Sequence, residues 1–180
     1  MTPFLISGLP RSRTAWLSIL FTHYPSFCLH EGLSKFGDVG SMVKAFSMSG
    51  VPVGDSDSGL TLFPDAVLSA AAAGQVRLAV IDRDAADVYV SLNEFYKGSP
   101  YSASDVMAKA LPGHKAIMAS PDALVVKFDD LSDETKVAEL YQHLIPGLAF
   151  PAAWFHQLRL LQVNQILDLA IADQSAGRAA

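Results

Sequence analysis

The chain has 180 residues, 51% of them hydrophobic and 17% charged, and its 13 Lys and Arg against 18 Asp and Glu give a formal net charge of −5. This length fits one domain over 1–180, and the apolar fraction excludes a disordered chain. The acidic balance argues against sequence-independent nucleic-acid binding, which needs many cations on phosphates. The single cysteine, Cys28, excludes an internal disulfide framework and a cysteine-built zinc site.

No run approaches the ~18 consecutive apolar residues of a membrane span. The N-terminus has no basic segment before its short apolar run, so it does not resemble a signal peptide. We therefore expect a cytoplasmic protein with no membrane partner. The sequence does not indicate an oligomeric state.

The first half of the chain alternates short apolar runs with longer amphipathic stretches. It predicts strands at 4–6 and 26–30 and helices at 14–22 and 64–73. Between them, 33–62 is rich in Gly and Ser and predicts a long segment with a short strand near 51–53. That segment could be either a lid over a site or an ordinary loop.

The second half predicts strands at 76–81 and 123–128, each followed by a helix, at 84–96 and 132–144. Asp84 is the expected N-cap of the first of these helices. Further helices are expected at 102–119, interrupted near Pro112 and Gly113, and at 151–170, before a frayed tail at 171–180. Alternating strands and helices predict an α/β fold, a three-layer α/β/α sandwich with a mostly parallel sheet.

A strand followed by Ser7–Thr14 and then a helix predicts an anion site, because helix N-termini carry unpaired N–H groups and a positive dipole end. Arg11 and Arg13 add cations, and Ser12 and Thr14 add hydroxyls. The Walker A pattern fails here. Counted from Gly8, it requires glycine, lysine and a hydroxyl residue where the chain has Arg13, Thr14 and Ala15.

A second candidate phosphate site follows the strand at 76–81. Arg83 stands at the end of that strand, where open α/β sheets bind ligands, and Ser91 lies two helical turns further on. A guanidinium and a hydroxyl there can hold one phosphate. Alternatively, Arg83 is a surface ion-pair partner of Asp84 or Asp87.

Both segments resemble the donor-binding motifs of sulfotransferases. Residues 8–16 match the 5′-phosphosulfate loop at Pro10, Arg11, Ser12, Thr14 and Trp16, while Arg13 replaces a glycine and Ala15 a hydroxyl residue. The 3′-phosphate motif matches at Arg83, Asp84, Asp87 and Ser91, while Ala85 replaces a proline. The stretch 123–131 resembles a late scaffold segment of the family, whose basic glycine-rich loop near the C-terminus is missing or reduced here.

The resemblance implies a compact P-loop NTPase-like domain that transfers a sulfuryl group from 3′-phosphoadenosine 5′-phosphosulfate (PAPS) to a hydroxyl or amine of a small acceptor, with no metal. Arg11 would lie near the leaving phosphate oxygen. The donor-binding residues implied are Pro10, Arg11, Ser12, Arg13, Thr14, Ala15, Trp16, Arg83 and Ser91.

An acceptor hydroxyl needs a general base. His30 and Glu31, at the end of the second predicted strand, are the first candidates, with Glu31 favoured and His30 second. Asp55 and Asp57 are rivals. Trp16, Trp154, Phe155 and the aromatic residues near 95–101 could line an acceptor cleft, although core packing is their commoner role.

Two other functions remain open from the sequence. One is a nucleotide or small-molecule kinase, which the missing Walker lysine disfavours. The other is a non-catalytic protein that binds nucleotide or phosphate through the same fold. The identity of the acceptor cannot be read from the residues.

Overall fold

The computed structural model describes residues 1–160, in which five strands form one parallel sheet. The strands are β1 Phe4–Gly8, β2 Phe27–His30, β3 Val53–Asp57, β4 Arg77–Asp82 and β5 Ala123–Lys127. Their order is β2-β3-β1-β4-β5, and every pairing is parallel. Because parallel strands end at the same edge, the segments after all five strands meet there. The predicted parallel sheet is confirmed.

Helices cover both faces of this sheet. They are α1 Thr14–Phe21, α2 Leu33–Phe36, α3 Val39–Ser47, α4 Pro64–Ala72, α5 Ala85–Phe95, α6 Ala103–Met118, α7 Glu134–Leu144 and α8 Ala152–Leu160, with 3-10 helices at Ser58–Leu62 and Asp129–Ser132. Side chains of β1 alternate between two apolar cores: Phe4 and Ile6 pack with α1, α7 and α8, and Leu5 packs with α3 and α4. The three-layer α/β/α sandwich is therefore confirmed.

Several helices have an aspartate at the N-cap whose carboxylate accepts hydrogen bonds from backbone N–H groups of the first turn. Asp84 accepts hydrogen bonds from the backbone N–H groups of Ala86 and Asp87, at 2.8 and 3.2 Å, as the sequence predicted. Asp133 caps α7 in the same way, and Asp38 caps α3. Such caps satisfy backbone donors that the first turn of a helix leaves open.

The prediction of a Gly- and Ser-rich loop at 33–62 is wrong. The segment holds α2, α3, a 3-10 helix and β3, which lies between β2 and β1 inside the sheet. The strand of this segment is thus part of the central scaffold. The sequence pattern did not indicate the full extent of this strand because β3 is polar, with Asp55, Ser56 and Asp57 all buried. The short strand expected near 51–53 begins only at Val53.

The predicted break near Pro112 does not occur, because α6 runs continuously from Ala103 to Met118. A side chain at Gly113 would overlap the backbone carbonyl of Thr61, which shows how closely α6 packs on the 3-10 helix Ser58–Leu62. This packing holds the helix through the proline. The last predicted helix is described as far as Leu160, and its remainder and the tail at 171–180 lie outside the described residues. No helix within 1–160 combines the length and apolarity needed to span a membrane.

Candidate functional site

The loop between β1 and α1 has a strained backbone. Arg11 and Arg13 both adopt positive φ angles, of 68° and 60°. Only a few per cent of residues other than glycine do so, and such strain clusters at functional sites. Arg13 stands where the sulfotransferase-like loop has glycine, and its left-handed backbone is one that glycine adopts freely.

The structure brings the two predicted phosphate segments into direct contact. Arg11 Nε donates a hydrogen bond to Ser91 Oγ at 3.2 Å. Arg83 Nη1 donates to the backbone carbonyl of Arg11. The loop after β1 is thus tied to both ends of the second segment, although 72 and 80 residues separate the bonded groups.

Two aromatic rings hold the three arginines in place. The guanidinium carbons of Arg13 and Arg83 lie 4.9 and 4.3 Å from the ring centroid of Phe128, and that of Arg11 lies 5.0 Å from the ring of Phe95. Such cation–π contacts are worth about 0.5–1 kcal/mol at exposed sites. Phe128 was not among the site residues predicted from the sequence. The feature of the sequence that could have indicated it is its position directly after β5, at the edge of the sheet where the other site residues lie.

These residues line a cleft of about 970 Å³ at the carboxyl edge of the sheet. Five cationic side chains border it, and Glu31 is the one carboxylate among its lining residues in the described part of the chain. The five cations are Arg11, Arg13, Arg83, Lys109 and Arg159. The cleft is therefore strongly electropositive although the chain is acidic.

In the part of the chain that the structure describes, no arginine is neutralised by a carboxylate in a close ion pair. Within residues 1–160, three pairs of a basic and an acidic side chain have an N···O distance of 4.0 Å or less: His30–Glu31, Lys136–Glu139 and His156–Glu134. Arg83 is in no such pair with Asp84 or Asp87, the alternative left open by the sequence. Desolvation lowers the pKa of Arg83; Asp87 opposes this shift, and the charges of Arg11 and Arg13 add to it. Clustered cations of this kind favour an anionic ligand.

His30 and Glu31 border the cleft on the side of the phosphate loop. His30 Nε2 lies 3.3 Å from Thr14 Oγ1, within hydrogen-bonding distance, and 4.0 Å from a carboxylate oxygen of Glu31. Glu31 has a φ of 53°, a third left-handed residue at this site. Of the two base candidates, His30 is the one in contact with the loop.

Neither rival carboxylate, Asp55 or Asp57, lines the cleft itself. Asp57 borders a second cavity, of about 480 Å³, which shares Glu31, Ser58 and Gly59 with the cleft. Its two oxygens accept from the backbone N–H groups of Gly59 at 2.6 Å and Leu33 at 3.3 Å.

Asp55 is fully buried beneath the turn after β2 and lines neither cavity. Its Oδ1 accepts from the backbone N–H of Gly32 at 3.0 Å. Burial raises the pKa of Asp55 to about 7, against the opposing effect of that hydrogen bond. The structure therefore does not bring Asp55 to the site.

Four other residues predicted for the donor, Pro10, Thr14, Ala15 and Trp16, also line the cleft. Ser12 does not: its side chain is fully buried and its backbone N–H donates to the Leu9 carbonyl at 3.2 Å, which closes the turn.

The aromatic candidates divide between the cleft and the core. Phe95 and Tyr96 line the cleft, whereas Phe155 is buried in the core, where Trp16 packs edge-on against its ring at 6.1 Å. Trp154 donates its indole N–H to the Ile19 carbonyl. Within residues 1–160, no three His, Cys, Asp or Glu side chains gather where they could hold a metal ion.

Comparison with solved structures finds the same fold in a sulfotransferase. The crystal structure of the mouse sulfotransferase SULT7A1 complexed with PAP matches at a TM-score of 0.59 and 12% sequence identity. The match covers 87% of this chain and 62% of that chain. This likeness confirms the predicted P-loop NTPase-like α/β fold. No protein-family model and no curated protein matches the sequence.

Proposed function

We propose that the chain is a sulfotransferase-like enzyme that transfers a sulfuryl group from PAPS to a hydroxyl or amine of a small acceptor. One observation carries the proposal: two segments that separately resemble the phosphate motifs of sulfotransferases converge on one cationic cleft, where Arg11 bonds Ser91 and Arg83 bonds the Arg11 carbonyl. The cleft of about 970 Å³ is large enough for a nucleotide. The fold shared with a sulfotransferase supports the same assignment.

The reaction we propose is a direct displacement at sulfur. The acceptor oxygen or nitrogen attacks the sulfur atom, and a new bond to sulfur forms as the bond from sulfur to the 5′-phosphate oxygen breaks. The electron pair of that bond leaves with 3′-phosphoadenosine 5′-phosphate (PAP). Arg11 would neutralise the charge that grows on the leaving phosphate oxygen, which is how fixed cations lower such barriers.

The acceptor proton must pass to a base near the phosphate loop. We propose His30 and Glu31 as the candidates, because both border the cleft and His30 contacts Thr14. The smaller cavity adjoins them through Glu31, Ser58 and Gly59, which supports it as the place of the acceptor.

The proposal is tested by incubating the protein with PAPS carrying radiolabelled sulfate and a panel of small alcohols, phenols and amines. We expect label in an acceptor and release of PAP in equal amounts. Binding of PAPS without transfer to any acceptor would support the non-catalytic binding protein instead. In a parallel incubation with ATP, transfer of its terminal phosphate to an acceptor would support the kinase.

The same assay assigns the base. Glu31→Gln and His30→Gln are compared at saturating donor. The variant that loses kcat while its affinity for PAP is unchanged identifies the residue that takes the proton. If both variants keep the full kcat, neither residue is the base.

A further inference from the structure

Two arginines lie over the ring of Phe128 in the cleft, and a third, Arg159 of α8, borders the same cleft with its guanidinium carbon 5.7 Å from the ring centroid of Phe155. Arg13 and Arg83 lie over the Phe128 ring, at 4.9 and 4.3 Å from its centroid, and Arg13 Nη1 also donates to Ser132 Oγ at 3.4 Å. Desolvation lowers the pKa of Arg13; Asp129 opposes this shift, and the charge of Arg159 adds to it.

The charges of this group suit a doubly charged anion. Asp129 is the carboxylate that acts on both Arg13 and Arg83. Arg11, whose charge also acts on Arg83, belongs to the same group. Its four guanidinium groups stand against two carboxylates, Asp129 and Asp87, which leaves an excess of two positive charges in the described part of the chain. A phosphate monoester carries −1.5 to −2 near neutral pH, roughly the charge that balances this excess.

The backbone of Arg13 also has an energetically costly conformation. Its φ of 60° is one that glycine adopts freely and that costs other residues of the order of 1 kcal/mol. A side chain that persists at such a position, stacked on a ring and aimed at a cationic cleft, is accounted for by a role in binding.

We propose that Arg13 and Arg159 join Arg83 to form the subsite that binds the 3′-phosphate of the donor. This inference rests on the proposed function and adds to it two specificity-determining residues. In this subsite Arg13 and Arg159 supply cations in addition to Arg83, and Phe128 fixes the planes of the guanidinium groups of Arg13 and Arg83.

The test compares PAP with adenosine 5′-monophosphate (AMP), which differs from it only by lacking the 3′-phosphate, in calorimetric titrations of the whole chain. Arg13→Gly and Arg159→Gln are the test variants. Lys44→Gln, an exposed residue of α3, removes one positive charge away from the cleft and is the control. Loss of a charged hydrogen bond lowers affinity by about tenfold or more.

We expect Arg13→Gly to weaken PAP by about tenfold or more while AMP changes by less than about twofold. Arg159→Gln should shift the same preference in the same direction, and Lys44→Gln should leave it unchanged. Arg13→Gly should leave the melting temperature of the ligand-free protein nearly unchanged, because relief of the left-handed backbone offsets the loss of the Arg13 contacts with Phe128 and Ser132. A binding loss in a variant of unchanged stability does not come from misfolding.

Two outcomes would overturn this inference and leave the proposed function intact. If wild type prefers PAP and both variants keep that preference, the two arginines do not contact the 3′-phosphate. If Arg13→Gly weakens PAP and AMP equally, Arg13 serves the 5′ end of the nucleotide. A wild-type protein with no preference for PAP over AMP contradicts the proposed function itself.

Discussion

Arg11 Nε donates a hydrogen bond to Ser91 Oγ at 3.2 Å, which joins the loop after β1 to the middle of α5. The guanidinium lies at the same time over the ring of Phe95, at 5.0 Å. One residue of the first phosphate segment is therefore oriented by two residues of α5, Ser91 of the second segment and Phe95 one turn further on. The two segments should act as a unit when a nucleotide with two phosphates binds.

The first prediction is that Arg11 and Ser91 are energetically coupled in PAP binding. Ser91→Ala should weaken PAP by about tenfold, because a hydrogen bond to a charged group is lost, and Arg11→Ala by more. The double variant should lose less than the sum of the two, since each single variant already breaks the shared bond. A double-mutant cycle by calorimetry measures this coupling. Ser47→Ala, an exposed serine of α3, is the control, and strictly additive losses would contradict the coupling.

The second prediction concerns Asp55 and the pH dependence of stability. Its pKa is raised from the usual 3.8 to about 7 by burial in β3, so the folded chain keeps a proton that the unfolded chain has lost. The contribution of Asp55 to stability should therefore be full below about pH 4, fall as the pH rises towards 7, and level off above it, by up to roughly 4 kcal/mol. The free energy of unfolding in urea, measured at pH 5, 6, 7 and 8, follows this curve.

Asp55→Asn isolates this effect, because the amide keeps the shape of the side chain and its acceptor for the Gly32 N–H but carries no charge. The variant should be more stable than wild type at pH 8, and the difference should shrink towards pH 5. Asp122→Asn, at an exposed position, should leave the profile unchanged. A profile of Asp55→Asn that parallels wild type would show that Asp55 titrates normally.

The third prediction tests the packing of β3 beside the strand that leads into the phosphate loop. Gly54 lies opposite Phe4 in the β1–β3 pair, and a Cβ at Gly54 would overlap the Phe4 ring. Gly54→Ala should destabilise the fold by about 1–3 kcal/mol through overpacking. Gly50→Ala, where a Cβ would meet no atom within 4 Å, should change stability by less than about 0.5 kcal/mol. Equal losses at both positions, in urea unfolding, would contradict this packing.

Local chemistry in the sequence was enough to predict most of the fold. Apolar runs predicted the places of β1, β2, β4 and β5, and the cap at Asp84 predicted the start of α5. The exception was β3, which is interior but polar. The apolar pattern indicated only a short strand near 51–53, whereas the strand runs from Val53 to Asp57. Neither could the sequence show that α6 continues through Pro112, because packing against the 3-10 helix decides that.

The site was predictable where residues follow a strand directly and hidden where contacts are long-range. Arg11, Arg13 and Arg83 were found from their places at strand ends, and they do line one cleft. The Ser12 hydroxyl was expected there as well, but the turn buries it. Phe128 and Arg159 were missed, because only the folded chain places a ring after β5 and a side chain of α8 beside the loop after β1.

The central claim is that the cleft binds a nucleotide with a 3′-phosphate as well as a 5′-phosphate. The most direct measurement is the thermal shift of the wild-type chain with PAP and with ATP at equal concentrations, repeated on Arg83→Ala. The account predicts a larger rise in melting temperature with PAP than with ATP, and loss of that difference in Arg83→Ala, since a charged hydrogen bond is worth about tenfold in affinity. An equal or larger shift with ATP in the wild type would contradict it.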